Sequence, residues 1–199
     1  LCQIYMSFTP KDNYFYKAKK QGYRARSAFK LQLIQEKYEI LKEGDRVLDL
    51  GAAPGGWMQV ALEYVGNKGK VVGVDLQPIE SLNNKQAIEI VGDVTDFDIQ
   101  KALMEYAPYN AIVSDMSPKT SGMKLADQAR SLELVEMAFG IADEMLEKSG
   151  SVVAKVFESP EIQMLRKDLH KKFQRVELFK PKASRKESFE TYFVAIGKR

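Results

Sequence analysis

The chain has 199 residues, 45% of them apolar and 29% charged, and a net charge of +3. Those proportions suit one folded domain with a single core, and no run approaches the roughly 20 apolar residues of a membrane span. One cysteine, Cys2, and one histidine, His170, exclude an internal disulfide and zinc sites of the usual type, so no metal is expected and a reducing compartment such as the cytoplasm suits the chain.

Residues 1–11 lack the basic flank and long apolar stretch of a secretory signal, and they read as a loose end ahead of a single domain over residues 12–199. Beyond them, strand-like and helix-like patterns alternate, which predicts a largely parallel sheet covered by helices. Residues 12–41 read as helical, with Gly22 separating two helices and Phe29 and Leu33, then Ile34, Tyr38 and Leu41, at helical spacing. Residues 46–50 form a short buried strand. A glycine-rich loop over 51–56 follows, then a helix over 57–65 ended by Gly66.

Further strands are predicted over 70–75, 88–91, 111–115 and 151–157, with a helix over 98–106 between the second and third of these. The longest helix shows one apolar stripe of Leu125, Ala129, Leu132, Val135, Phe139, Ala142 and Leu146. Lys148-Ser149-Gly150 is expected to stop it, with Gly150 as a left-handed cap. A helix over 160–173 has Pro160 in its first turn. Strands over 175–180 and 191–196 close the chain as an antiparallel pair. Seven strands result.

The strongest local pattern is Asp49-Leu50-Gly51-Ala52-Ala53-Pro54-Gly55-Gly56-Trp57, between a strand and a helix. Gly51, Gly55 and Gly56 allow a sharp turn and close approach of a ligand, and ligands of open α/β sheets sit beyond the carboxyl ends of the strands. About 20 residues on, Asp75 ends the second strand, where a carboxylate can accept bonds from ribose hydroxyls. Asp93 ends the third strand and could meet an adenine amino group. Ala53 stands where a dinucleotide loop needs the glycine that admits a pyrophosphate. S-adenosylmethionine has no pyrophosphate. Its cationic sulfonium and amino-acid tail suit acids such as Asp49 and Asp115.

Lys155 lies inside the apolar run Val152-Val153-Ala154-Lys155-Val156-Phe157. Lysine is rarely buried without a reason, although a strand-end position that lets its head reach water would serve. Lys30 follows Phe29 on a packing helix, Asp115 ends the fourth strand, and Glu190 starts the last.

Taken together, these segments resemble the FtsJ/RrmJ family of ribose 2′-O-methyltransferases over residues 12–197. The likeness is carried by residues 21–31, 49–57, Ser114-Asp115-Met116-Ser117-Pro118, 153–157 and 184–192. It implies a Rossmann-like class I methyltransferase fold with a seven-stranded, mostly parallel sheet. It implies a Lys-Asp-Lys-Glu tetrad on Lys30, Asp115, Lys155 and Glu190, with Lys155 as proton acceptor. Gly55, Trp57, Asp75, Asp93 and Asp115 would line the site of S-adenosylmethionine, which becomes S-adenosylhomocysteine. Residues 1–11 do not resemble the longer basic stretch of the family's bacterial members, which leaves the RNA substrate open.

Basic residues gather near the start at Lys17, Lys19, Lys20, Arg24 and Arg26, interleaved with Tyr14, Phe15, Tyr16 and Tyr23. A second group is Lys180, Lys182, Arg185 and Lys186, just before Glu190. Cations for phosphates and rings for unpaired bases suit RNA, though either group alone could be a solvated face. Both flank tetrad members, so Lys19, Lys20, Arg24, Arg26, Lys182 and Arg185 are expected on one side of the pocket. The short single-domain form looks most like the ribosomal members that modify a uridine of large-subunit RNA; a monomer is the default expectation, because nothing in the sequence marks an oligomer surface. Ribose methylation of a transfer-RNA anticodon loop is the alternative. A non-catalytic RNA-binding module and a nicotinamide dehydrogenase are more remote; the full tetrad speaks against the first and Ala53 against the second.

Overall fold

The structure, a computed structural model, describes residues 13–184 and 188–199. The expected loose end at residues 1–11 lies outside the described residues, as do Arg185 and Lys186. The elements run α1 (Asn13–Gln21), α2 (Ala28–Tyr38), β1 (Arg46–Leu50), α3 (Gly56–Val65), β2 (Lys70–Asp75), β3 (Ala87–Val91), α4 (Phe97–Met104), β4 (Tyr109–Ser114), α5 (Lys124–Met145), β5 (Leu146–Phe157), α6 (Ile162–Lys172), β6 (Phe173–Phe179) and β7 (Glu190–Lys198).

Among the described residues, seven strands form one sheet in the order β3-β2-β1-β4-β5-β7-β6. β1 to β5 pair in parallel, and β7 enters antiparallel between β5 and β6. This is the Rossmann-like α/β sheet expected from the sequence. The order reverses between β1 and β4, and at such a switch point a crevice opens beyond the carboxyl ends of the strands.

The central strands are buried on both faces, which is why they read as almost unbroken apolar runs. Leu48 and Leu50 of β1 pack with residues of α4, α5 and α6, whereas Val47 packs with α2 and α3 on the other face. By the same alternation Asp49 points to the α2–α3 side. Among the described residues no helix is long and apolar enough to cross a membrane.

Three sequence expectations need correction. The apolar stripe of α5 holds from Leu132 to Ala142, but Leu125 is 80% exposed, Ala129 is exposed too, and Leu146 begins β5. The first turns of α5 lie over the end of β5 and bury polar side chains instead: Asp127, Gln128 and Ser131. Ser131 Oγ accepts the Phe157 N–H at 2.9 Å, and Gln128 Nε2 donates to the Glu158 carbonyl.

Next, the left-handed residue after α5 is Ser149, with φ 66°, not Gly150. It sits within β5, where pairing to β4 slips between Tyr109↔Leu146 and Ala111↔Ser151. Gly150 is required by close approach instead, because a β-carbon there would come within 2.8 Å of the Leu146 side chain and 3.0 Å of the Asn110 carbonyl oxygen. Finally, α6 takes Glu161 as its N-cap, so Pro160 stands just ahead of the first turn.

Candidate active site

The carboxyl ends of β1 to β4 surround a cavity of about 410 Å³. Gly51, Asp75, Asp93 and Asp115 line it, with Val74, Leu76 and Met116 as apolar wall, and no cationic side chain takes part among the described residues. Two of the acids are fixed from behind by the backbone. Asp75 accepts the Ala53 N–H at 3.0 Å on one oxygen and the Gln77 N–H at 2.8 Å on the other. Asp93 Oδ1 accepts the Thr95 N–H at 2.9 Å and the Thr95 hydroxyl at 2.7 Å, and these bonds hold its carboxyl below the usual value.

Asp49 is fully buried, and neither of its oxygens completes a hydrogen bond. Burial first, then the charges of Asp115 and Asp75, push its carboxyl well above the usual carboxylate range; the Met58 N–H, in the first turn of α3, only partly opposes them. An orphaned buried acid is costly. Burial and the neighbouring acids therefore favour its uncharged form.

Asp49, Gly55, Gly56 and Trp57 stand outside the cavity lining. A β-carbon on Gly56 would meet Ala25 at 3.1 Å, and one on Gly55 would meet the Arg24 guanidinium at 3.0 Å, so these two serve the packing of the segment before α2 onto α3. Trp57 is buried and donates its indole N–H to the Ser27 carbonyl at 2.8 Å. Its ring lies 5.7 Å from that of Tyr192.

The four tetrad positions come together from α2, β4, β5 and β7. In the antiparallel ladder Lys155 stands opposite Tyr192 and Phe157 opposite Glu190, while Ser114, the residue before Asp115, stands beside Ala154. Lys155 Nζ lies 3.1 Å from Asp115 Oδ1 and also donates to the Asp115 carbonyl, with a side chain only 6% exposed. Lys30 Nζ bonds Glu190 Oε2 at 2.8 Å. Burial alone would raise the Glu190 carboxyl, but Lys30 and then Lys155 hold it below its usual value. The result is two lysine–carboxylate pairs beside an acidic cavity.

Tyr192 completes the group and was not singled out from the sequence. Its ring is buried, its hydroxyl donates to Asp115 Oδ1 at 2.8 Å, and Lys30 Nζ lies 5.7 Å from its centroid. Burial first, then Asp115 and Glu190, raise its phenol far above the usual value, so it acts only as a donor. The sole signal was the β5–β7 register, a non-local relation. Asp127 was missed as well. It accepts the N–H of Ser121 at 2.8 Å, the Ser121 hydroxyl at 2.9 Å and the N–H of Gly122 at 3.2 Å, which pins the loop after β4.

The basic residues divide. Lys19 and Lys20 are exposed in the last turn of α1, and Lys182 is exposed near the other group. Lys17 sits over the Phe29 ring at 4.7 Å. Arg24 instead ties three backbone carbonyls, Pro54 at 3.2 Å, Ser81 at 2.8 Å and Glu80. Arg26 donates to the Ala183 carbonyl, and Ala18, Phe29 and Ala183 form one small apolar cluster. The segments on either side of Lys30 and Glu190 thus meet at Arg26 and Ala183.

Comparison with known proteins gives a consistent result. The profile of the FtsJ-like methyltransferases matches residues 23–198. The ribosomal RNA large subunit methyltransferase E of Syntrophobacter fumaroxidans is 47% identical over 98% of this chain and 99% of its own. Among solved structures, a Plasmodium falciparum protein named as a ribosomal RNA methyltransferase superposes with a TM-score of 0.77 at 26% identity, covering 88% of this chain and 98% of that one. Aeropyrum pernix fibrillarin, solved with natively bound S-adenosylmethionine, shares the fold at a TM-score of 0.57 and 16% identity, over 85% of this chain and 76% of its own.

Proposed function

The chain belongs to the FtsJ-like methyltransferase family, and we propose that it methylates a ribose 2′-hydroxyl, a uridine's, in large-subunit ribosomal RNA. It is an S-adenosylmethionine-dependent RNA methyltransferase. Action as a monomer, in the cytoplasm and on the large ribosomal subunit, completes the reading.

The residues present fit that cofactor. Among the described residues the cavity carries three acids and no cation. Such a lining favours a cationic nucleoside and disfavours a pyrophosphate. Asp75 is the residue to hold ribose hydroxyls, Asp93 the adenine edge, and Asp115 the charged sulfur side. When bound, S-adenosylmethionine supplies an electrophilic methyl group on a positively charged sulfur.

What the protein adds is alignment and proton removal. Lys155 is gripped from one side by both oxygen types of Asp115, which leaves its remaining valences for the acceptor oxygen. Lys155 Nζ is placed to receive the hydroxyl proton, and holding the acceptor oxygen in line with the methyl group can supply much of the rate. Lys30 and Glu190 hold the ribose from the other side, and Tyr192 keeps Asp115 from turning away.

The observation that carries the reading is Lys155, buried between an acid-lined cavity and a second lysine–carboxylate pair. The test is transfer of labelled methyl by wild type and Lys155→Ala to large ribosomal subunits, free ribosomal RNA and bulk transfer RNA, with ribose methylation mapped. Label in the large-subunit fraction that Lys155→Ala abolishes is the expected result. Label in transfer RNA alone moves the substrate to the anticodon loop, and transfer undiminished in Lys155→Ala removes the lysine from the chemistry.

A further inference from the structure

A second cavity, of about 340 Å³, opens between the start of α5 and the start of β7. Thr120, Gly122, Lys124, Phe157, Phe189 and Glu190 are among its lining. The first cavity contains Asp115 and this one contains Glu190, so the two ion pairs of the tetrad lie between them. We infer that this second cavity receives the base of the nucleotide being methylated, with the Phe189 ring as stacking surface. The inference rests on the RNA ribose methylation proposed above.

The stereochemistry leads there. A base is bonded to the ribose carbon next to the one that carries the 2′-hydroxyl. Once that hydroxyl reaches Lys155, the base must lie within one ring's span of it. The Asp115 side is where the methyl donor belongs, which leaves the Glu190 side.

The lining suits such a guest. Phe189 precedes Glu190 in the chain and is 54% exposed. Its backbone is nonetheless fixed, because its carbonyl accepts the Glu158 N–H at 2.8 Å. Lys124 Nζ stands 4.7 Å from its ring centroid. An exposed aromatic face on a fixed backbone beside a cation is the arrangement that takes up an unstacked RNA base. The opposite wall is equally prepared. Asp127 pins Ser121 and Gly122, and Gln128 is bonded to the Glu158 carbonyl, so the polar turns of α5 hold the cavity's shape.

The test compares kcat/KM on large ribosomal subunits reconstituted with RNA that carries the base at the acceptor nucleotide, or an abasic ribose there that keeps its 2′-hydroxyl. Wild type, Phe189→Ala and Phe189→Tyr are measured on both, with S-adenosylhomocysteine binding as the check on folding. Wild type should lose roughly 10- to 100-fold on the abasic substrate, the range of one base–aromatic stack. Phe189→Ala should lose a similar factor on the intact substrate and little more on the abasic one. Phe189→Tyr should stay close to wild type. Equal wild-type rates on the two substrates overturn the inference and need no variant to be seen. So does a Phe189→Ala penalty of the same size on both. If wild type methylates neither while binding S-adenosylhomocysteine, the parent reading of the substrate fails and the inference falls with it.

Discussion

The hydroxyl of Tyr192 donates to Asp115 Oδ1 at 2.8 Å, the same oxygen that Lys155 Nζ approaches to 3.1 Å. One carboxylate oxygen is thus shared by a neutral donor from β7 and a cation from β5. The tyrosine fixes where the carboxylate stands, and the carboxylate fixes where the amine stands. Tyr192→Phe keeps the buried ring and deletes only the donor, at a cost of about 1–3 kcal/mol for an unsatisfied buried partner. We expect kcat to fall roughly tenfold or more, with the affinity for S-adenosylhomocysteine and KM for RNA nearly unchanged. A variant that lowered all three alike would make Tyr192 a packing residue and nothing else.

Glu190 gives a pH signature. Its ordinary carboxylate value is 4.5; once folded, burial works to raise it, but Lys30 and Lys155 prevail and hold it lower. As pH falls, the unfolded chain binds this proton first. The contribution of the pair is complete above the ordinary value and is lost as pH drops through the lower, folded one. Glu190→Gln lacks that contribution at every pH. The wild type should therefore melt above the variant at neutral pH, with the gap closing in acid below the ordinary value. A gap that stayed constant down to acid would mean that the Lys30–Glu190 pair adds nothing to stability.

Much of this site was legible in the sequence because its parts are local. A strand, a glycine turn and an acid at fixed spacing place Gly51 and Asp75, and β1 to β4 repeat that logic. A lysine inside an apolar run marks Lys155. What was not legible depends on register or on the end of an element. Tyr192 matters because it stands opposite Lys155 across two strands far apart in the chain. The start of α5 read as apolar because Leu125 and Ala129 keep helical spacing, yet there the helix meets a loop and a strand end whose backbone groups need partners. Asp127, Gln128 and Ser131 supply them and take the buried face. Gly55 and Gly56 read as ligand-facing from the loop alone, and only the fold shows them against Arg24 and Ala25.

Arg24 and the lysines of α1 should part company under mutation. Lys19 and Lys20 are exposed, so neutralising both should weaken RNA binding and flatten its salt dependence. The log–log slope should fall by roughly 0.7–0.9 for each phosphate that is no longer neutralised. Arg24 ties the glycine loop to the segment after β2 through three carbonyls. Arg24→Ala should lower Tm and weaken cofactor binding at constant salt slope. If the slope instead dropped and Tm held, Arg24 would count as a phosphate ligand.

Asp49 places stability and cofactor binding in opposition. Its carboxyl is buried without completed hydrogen bonds, and burial together with Asp115 and Asp75 raises it well above the ordinary 3.8. As pH rises past that value the unfolded chain releases its proton first, so this group lowers stability progressively until the folded carboxyl ionises too. Asp49→Asn is close in size and carries no charge to desolvate. The variant should melt higher than wild type at neutral pH, and the advantage should shrink toward about pH 3. A bound sulfonium favours the ionised carboxylate, which the asparagine cannot supply. Binding of S-adenosylmethionine should therefore weaken more than binding of S-adenosylhomocysteine, which lacks the sulfonium charge. Calorimetric titration of both ligands, paired with melting curves across pH, checks the two halves together. Equal loss for the two ligands would show that Asp49 shapes the loop and does not act through its charge.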